Sequence, residues 1–182
     1  MSLILQGSTS GSVTLQEPAV AGTTVLTLPA VTGTVLTDTS PKAGNVIQVV
    51  QGTTSTSTTT TGSTYIDTNL SASITPSSSS SKILVIVSQN GCLKNNNTAS
   101  GVNLRLMRDA TVIQGIAVAA FYTSSTEFRG SISSSYLDSP ATTSAITYKT
   151  QFSNDGAGTG SVSVQNNTTN SLSTIILMEI AG

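Results

Sequence analysis

The pattern of hydrophobic positions divides the chain into two parts with different strand lengths. From Gly11 to Thr37, short groups of β-branched and aliphatic residues alternate with Gly and Pro, and the tetrapeptide Thr24–Thr27 (TVLT) recurs as Thr34–Thr37. β-branched residues between turn-forming residues are typical of short strands rather than helices. Such strands cannot bury a core alone, so we predict that this part pairs with copies from other chains or with another partner.

The aliphatic side chains of this first part are the candidate attachment and oligomerisation residues. They are Leu3, Leu5, Val13, Leu15, Val25, Leu26, Leu28, Val35 and Leu36. Pro, Gly, Ser and Asp then cluster in residues 38–45, which indicates a boundary between structural units. We therefore predict an attachment region over residues 1–40 and a separate β-sandwich domain over residues 41–182.

Longer strands are predicted from Val46 onward. Residues Tyr65–Thr75 alternate between apolar and polar positions, as a half-buried strand does, whereas Ile83–Val87 is an unbroken apolar run typical of a central strand. The last predicted strand, Leu172–Ile180, is apolar on both faces, which places it centrally in a sheet or at a subunit interface. The Thr-rich tract over residues 52–63 is either an exposed loop or an edge strand.

Turn signals separate these strands at intervals typical of an antiparallel sandwich. Arg108-Asp109 is a candidate tight turn between two strands, although it contains no Gly. In all, the pattern predicts eight or nine strands. The best helix candidate, Ile113–Tyr122, has no capping residues and contains Gly115, so we expect an all-β fold with no significant helix.

Composition favours an assembled protein and argues against two classes of partner. Charged residues make up 8% of the chain, against roughly 25% in typical soluble domains. The 7 Lys and Arg residues are scattered and Trp is absent, so neither a phosphate-binding cluster nor a base-stacking surface is predicted. No apolar run approaches the roughly 20 residues of a membrane span, and no signal peptide is visible, so we expect synthesis in a cytoplasm.

The residue types needed for most catalysis are also lacking. The chain contains no histidine, which removes imidazole from acid–base catalysis and from metal binding. We interpret Asp109, Asp138, Asp155 and Glu127 as turn formers and surface charges, and the single cysteine, Cys92, as a small buried hydrophobe. We therefore predict a non-enzymatic protein with no cofactor and no metal.

Two stretches resemble structural proteins of bacteriophages. The segment Leu26–Leu36 (LTLPAVTGTVL) resembles a repeat common in phage fibres and in head or tail appendages. The segments Gly44–Val50, Ser78–Val85 and Thr174–Gly182 together look like a domain frequent in phage structural proteins. That domain is similar in pattern to the trimeric jelly rolls of the tumour-necrosis-factor type. The resemblance implies a jelly-roll domain, a homotrimer and a place on the virion surface.

The resemblance leaves two locations open. In the first, the N-terminal repeat docks on the major capsid protein or another virion protein, and the chain decorates the shell as a cement protein or head fibre. In the second, the chain is a tail-fibre or spike tip, and a host surface glycan is a candidate partner. The candidate trimer-interface residues are Phe121, Tyr122, Phe128, Ile175 and Leu177, and the aromatic ones are alternatively candidates for stacking on a sugar.

Overall fold

The computed structural model describes residues 3–6, 8–15, 42–95, 100–122, 127–156, 160–166 and 171–182. The chain separates into two compact units, Met1–Val35 and Leu36–Gly182. Each unit has its own strands. The boundary that we predict at residue 40 lies outside the described residues.

The first unit contains a small antiparallel hairpin. Strand β1 (Leu3–Gln6) pairs with strand β2 (Ser12–Leu15). Gly11 precedes β2 with φ +79°, a left-handed conformation that glycine adopts without steric cost. A two-stranded hairpin is at best marginally stable in water, so further apolar contacts would stabilise this one.

Two antiparallel sheets pack face to face in the second unit. Sheet 1 has the spatial order β3 (Val46–Thr54), β12 (Ser173–Ile180), β6 (Lys82–Lys94) and β9 (Phe128–Asp138). Two short strands, β11 (Val162–Val164) and β4 (Thr58–Thr60), extend it beside the second half of β6. Sheet 2 has the order β5 (Ile66–Ile74), β10 (Ile146–Asn154), β7 (Val102–Arg108) and β8 (Thr111–Ala120).

The order of the long strands is that of a jelly roll. If the eight long strands are counted in chain order, sheet 1 reads first, eighth, third and sixth, and sheet 2 reads second, seventh, fourth and fifth. This interleaving of two Greek keys defines the jelly-roll sandwich. No helix occurs among the residues that the structure describes. The predicted all-β fold is therefore confirmed.

The space between the sheets holds two apolar clusters with a polar layer between them. One cluster contains Leu70, Ala72, Ile74, Ile83, Val85, Val87, Leu106, Ile146, Tyr148, Ile175 and Leu177, and the other contains Cys92, Val102, Leu104, Phe152, Val162 and Val164. Gln89 and Thr150 lie on β6 and β10 between the two clusters, and Thr150 donates a 2.9 Å hydrogen bond to the Gln89 amide oxygen. Thr68 and Ser173 complete the layer. The hydroxyl groups of Thr68 and Thr150 are hydrogen-bonded at 2.5 Å, and the Gln89 amide group donates a 3.2 Å hydrogen bond to the Ser173 hydroxyl. Because buried polar groups need partners, this layer fixes the relative position of the two sheets.

Several local predictions are confirmed. Asp109 turns the chain between β7 and β8 with φ +51°, which aspartate tolerates, and its carboxylate accepts a 2.9 Å hydrogen bond from the Thr147 amide. The Thr-rich tract, for which the sequence allowed a loop or an edge strand, continues β3 to Thr54 and forms the edge strand β4, while residues 55–57 and 61–63 lie outside the strands. The rejected helix candidate lies largely in strand β8.

Candidate interaction surface

Strand β12 shows how side chains divide between the two faces of sheet 1. Ile175 and Leu177 point into the sandwich and are 0% exposed, whereas Ile176 and Met178 point outward. Side chains alternate along a strand, so a strand that is apolar at every position presents aliphatic groups on both faces. The outward aliphatic groups of β12 therefore lie outside the core of their own chain.

Neighbouring strands extend this outward apolar surface across the whole sheet. In one row, Met178 lies beside Val49 on one side and Leu84 on the other, and Leu137 follows Leu84. In the next row, Ile176 lies beside Ile86. We call this surface the apolar face. Its residues are Val46, Val49, Leu84, Ile86, Leu137, Ile176, Met178 and Ile180.

The apolar face is open to solvent. Val46, Val49 and Leu137 are 53%, 56% and 51% exposed, and the central residues Leu84, Ile86, Ile176 and Met178 are half-buried. The face ends at Lys82, which pairs with Ile180, and at the polar row of Thr53, Thr174, Ser88 and Ser133. A contiguous apolar patch with a polar rim typically marks a site of protein association.

The outer face of sheet 2 is polar over strands β5, β10 and the first part of β7, whereas β8 carries the exposed Val112 and Val118. The polar outward positions are occupied by Asp67, Asn69, Ser71, Ser73, Asn103, Arg105, Thr147, Lys149 and Gln151. The two outer faces of the sandwich point away from each other. Solvation therefore accounts for the polar part of sheet 2, whereas sheet 1 presents a continuous apolar surface suited to a partner.

The predicted trimer-interface residues fall into two places. Ile175 and Leu177 lie in the core of their own chain, so neither is available to a second chain, and the interface proposed below leaves them out. Phe121 and Phe128 stack with ring centroids 5.1 Å apart, and Phe128 and Tyr122 are 45% and 55% exposed. These three aromatic residues follow β8 or begin β9, away from the apolar face.

The predicted attachment residues that the structure describes lie in the hairpin of the first unit. The register places Leu3 opposite Leu15 and Leu5 opposite Val13. Leu5 is 52% exposed and its neighbour Ile4 is 56% exposed. The other predicted attachment residues, Val25, Leu26, Leu28, Val35 and Leu36, lie outside the described residues.

The acidic residues correct one of our interpretations. Asp138 is not a surface charge, because it is 6% exposed and accepts hydrogen bonds from Arg108 at 2.8 and 3.1 Å and from Tyr148 at 2.7 Å. Asp109 forms a turn, and Glu127 pairs with Arg129 at 2.6 Å on the surface. These carboxylates are thus held apart in separate structural roles.

The described residues hold no group suited to metal binding or to thiol chemistry. Among them, His, Cys, Asp and Glu form no group of three or more that could bind a metal ion. Burial raises the pKa of Cys92 to about 12, so its thiol stays protonated at neutral pH. Within the same residues, no helical segment has the length and hydrophobicity of a membrane crossing.

Comparison with known proteins adds two distant similarities. No protein-family model matches the chain, and no curated protein matches it. Among solved structures, the chain is similar to a chain of the infectious bursal disease virus Gx strain, with a TM-score of 0.43 and 14% identity over 94% of this chain and 38% of that one. For the Gt strain the TM-score is 0.41 and the identity 15%, over 98% of this chain and 46% of that one. The chain therefore spans less than half the length of either viral chain.

Proposed function

We propose that this protein is a non-enzymatic structural protein of a bacteriophage particle. It is a homotrimer that docks on the capsid through its N-terminal repeat and decorates and stabilises the particle surface. The apolar face of sheet 1 is the observation that carries the proposal. The assignment to a phage particle rests on the resemblance of Leu26–Leu36 to repeats of phage appendages.

A second copy of this chain is the partner that fits the apolar face. Its two central rows contain aliphatic side chains with Gln51 and Ser135 and no charged residue. The partner surface is therefore expected to be apolar, and in a threefold arrangement one part of the face on each copy contacts a different part of the face on the next copy. Completing the burial of a half-buried aliphatic side chain contributes about 1 kcal/mol. The number of three copies comes from the resemblance.

The hairpin of the first unit supports the docking role. Ile4 and Leu5 point to opposite sides of β1, and both are more than half exposed. A hairpin with exposed aliphatic groups on both sides gains stability when a partner covers it. Binding that is available only on the assembled shell stabilises that shell by mass action.

Incorporation into particles tests the docking role. We expect a chain lacking residues 1–37 to be absent from purified virions, and a full-length Ile4→Ser/Leu5→Ser chain to be incorporated more weakly. A matched control is Val118→Ser, which changes an 80% exposed aliphatic residue of β8. Normal decoration by the shortened chain would contradict the proposal.

A tail-fibre or spike tip that binds a host receptor is the second candidate. The exposed aromatic residues Tyr122 and Phe128 favour it, because such side chains commonly contact sugars and proteins. Labelled protein is expected on phage heads under the first proposal and on tails under the second. Inhibition of phage adsorption by the purified protein supports only the second.

A further inference from the structure

The outer face of sheet 2 carries a row of polar side chains that hold one another in place. The Arg105 guanidinium lies 3.9 Å from the centroid of the Tyr65 ring and donates hydrogen bonds of 3.0 and 2.6 Å to the Gln151 amide oxygen. The Gln151 amide group in turn donates a 2.7 Å hydrogen bond to Asp67, and Lys149 donates one of 2.9 Å to the other oxygen of Asp67. Five side chains from three strands and the segment before β5 are thus fixed on one surface.

A depression lies at the end of this row. It is lined by Asp67, Asn69, Leu70, Ser71 and Lys149. The register of β5 against β10 shifts here, which identifies a β-bulge. Asn69 occupies the bulge with φ +65°, and its amide group donates a 2.9 Å hydrogen bond to Thr58. Bulges reorient side chains, and residues with unusual backbone conformations are frequent at binding sites.

The chemistry of the depression selects one class of ligand. Asp67 and Lys149 are 49% and 28% exposed, so both retain a surface for a ligand. Burial raises the pKa of Asp67, but the hydrogen bonds from Lys149 and Gln151 outweigh this and lower the pKa, so the carboxylate remains an acceptor at neutral pH. The carboxylate repels a phosphate group. The carboxylate also already binds the ammonium group of Lys149, and a lone carboxylate is a poor match for a hard cation that takes six or more oxygen ligands. Neither a phosphate nor a metal ion is therefore the expected ligand.

Carboxylate, amide, hydroxyl and ammonium groups together supply closely spaced hydrogen-bond donors and acceptors. The hydroxyl groups of a sugar are both donors and acceptors and match this arrangement. The side chains are held by their neighbours before any ligand arrives, which reduces the entropy lost on binding. We propose that the depression around Asp67, Asn69 and Lys149 is a saccharide-binding site. It is independent of the proposed self-association, because the apolar face lies on the opposite side of the sandwich and contact with a second copy there leaves this surface open.

Titration of the full-length protein with single sugars, followed by amide chemical shifts in NMR, tests the site. The panel contains glucose, galactose, N-acetylglucosamine and glucuronic acid, which separates neutral from acidic ligands. At least one sugar is expected to give saturable shifts at Asn69, Ser71 and Lys149 in the millimolar range typical of small, exposed sites. The variant Asp67→Asn keeps the shape of the side chain and is expected to bind about tenfold more weakly.

Glu127→Gln is the matched control, because it also removes an exposed, ion-paired carboxylate but lies at the start of β9. It is expected to bind like the unchanged protein. The proposal is overturned if no sugar gives saturable shifts, if the shifts appear at the aromatic residues Phe121 and Phe128 instead, or if Asp67→Asn binds as well as the control. None of these results bears on incorporation into virions.

Discussion

The hydroxyl group of Tyr148 in sheet 2 donates a 2.7 Å hydrogen bond to the carboxylate of Asp138 in sheet 1. Burial and the hydrogen bond and charge of Asp138 raise the pKa of Tyr148, so the hydroxyl remains a donor at physiological pH. Arg108 binds the same carboxylate. The three side chains therefore join the two layers of the sandwich at the end of β9.

Removing this hydroxyl group should weaken the fold without changing its shape. We expect Tyr148→Phe to lower the free energy of unfolding by about 1–3 kcal/mol, because it deletes a buried hydrogen bond to a charged group. Urea denaturation followed by circular dichroism measures the effect. The exposed Tyr122→Phe is the control and should change the stability by less than about 0.5 kcal/mol. Equal effects for both variants would contradict the role assigned to the Tyr148 hydroxyl.

The carboxylate of Glu179 should make stability depend on pH in the acidic range. Burial raises its pKa, but hydrogen bonds from the Ser77 hydroxyl, the Gln48 amide and the Ser77 backbone outweigh burial and lower the pKa to about 2. Because the folded protein holds the proton less tightly than the unfolded chain, the stabilisation is complete above the ordinary pKa of 4.5 and is lost as the pH falls towards 2.

Glu179→Gln tests this dependence. At neutral pH we expect it to lower the free energy of unfolding by about 1.5–3 kcal/mol, since it removes hydrogen bonds to a charged acceptor. The variant and the unchanged protein should differ less in free energy of unfolding as the pH falls below the ordinary carboxyl pKa. Urea denaturation at a series of pH values measures this difference. Glu127→Gln, at an exposed ion pair, should show little difference at any pH. A constant difference for Glu179→Gln across the series would count against the prediction.

Two glycines should respond in opposite ways to a methyl group. A Cβ at Gly52 would clash with the backbone of Ser71, where β3 passes close to β5, whereas a Cβ at Gly115 meets no atom within 4 Å. We expect Gly52→Ala to destabilise the protein by about 1–3 kcal/mol through overpacking. Gly115→Ala should be neutral or stabilising by up to about 1 kcal/mol, because it restricts the unfolded chain. Thermal unfolding of both variants measures the contrast, and an equal response would show that the close approach is easily relieved.

A charge on the apolar face should break self-association. We expect Leu137→Asp or Val49→Asp to convert the proposed trimer into smaller species, because burial of an unpaired carboxylate in an interface is strongly unfavourable. Mass photometry measures the oligomeric state. Ser73→Asp, on the outer face of sheet 2, should leave it unchanged. If the unchanged protein is a stable monomer, the proposed interface is wrong.

Much of the fold follows from local patterns in the sequence. The alternation in β5 correctly assigns Leu70, Ala72 and Ile74 to the core, and the short polar turn at Asp109 correctly joins β7 to β8. Each of these features depends on neighbouring residues, whose spacing fixes which side chains share a face.

The orientation of the central strands could not be derived in the same way. β12 is apolar on both sides. Its charged residue, Glu179, lies on the same side of the strand as Ile175 and Leu177. A charged residue normally faces solvent, so the sequence alone would wrongly place these three side chains on the outward face. Glu179 is buried instead because Ser77 and Gln48 bind it, and these residues are distant in the sequence. The pairing of Asp67 with Lys149 is equally non-local, so the depression on sheet 2 has no signal in the sequence.

The position of β12 also sets the order of events during synthesis. This strand lies between β3 and β6, so the first strand of the sandwich has no sheet partner on that side until the last one has left the ribosome. Non-local pairing of this kind slows folding and leaves strand edges open in the meantime. A chain interrupted before Ile180 cannot complete sheet 1 and cannot form the apolar face. If the chain assembles through that face as proposed, only fully translated chains can take part.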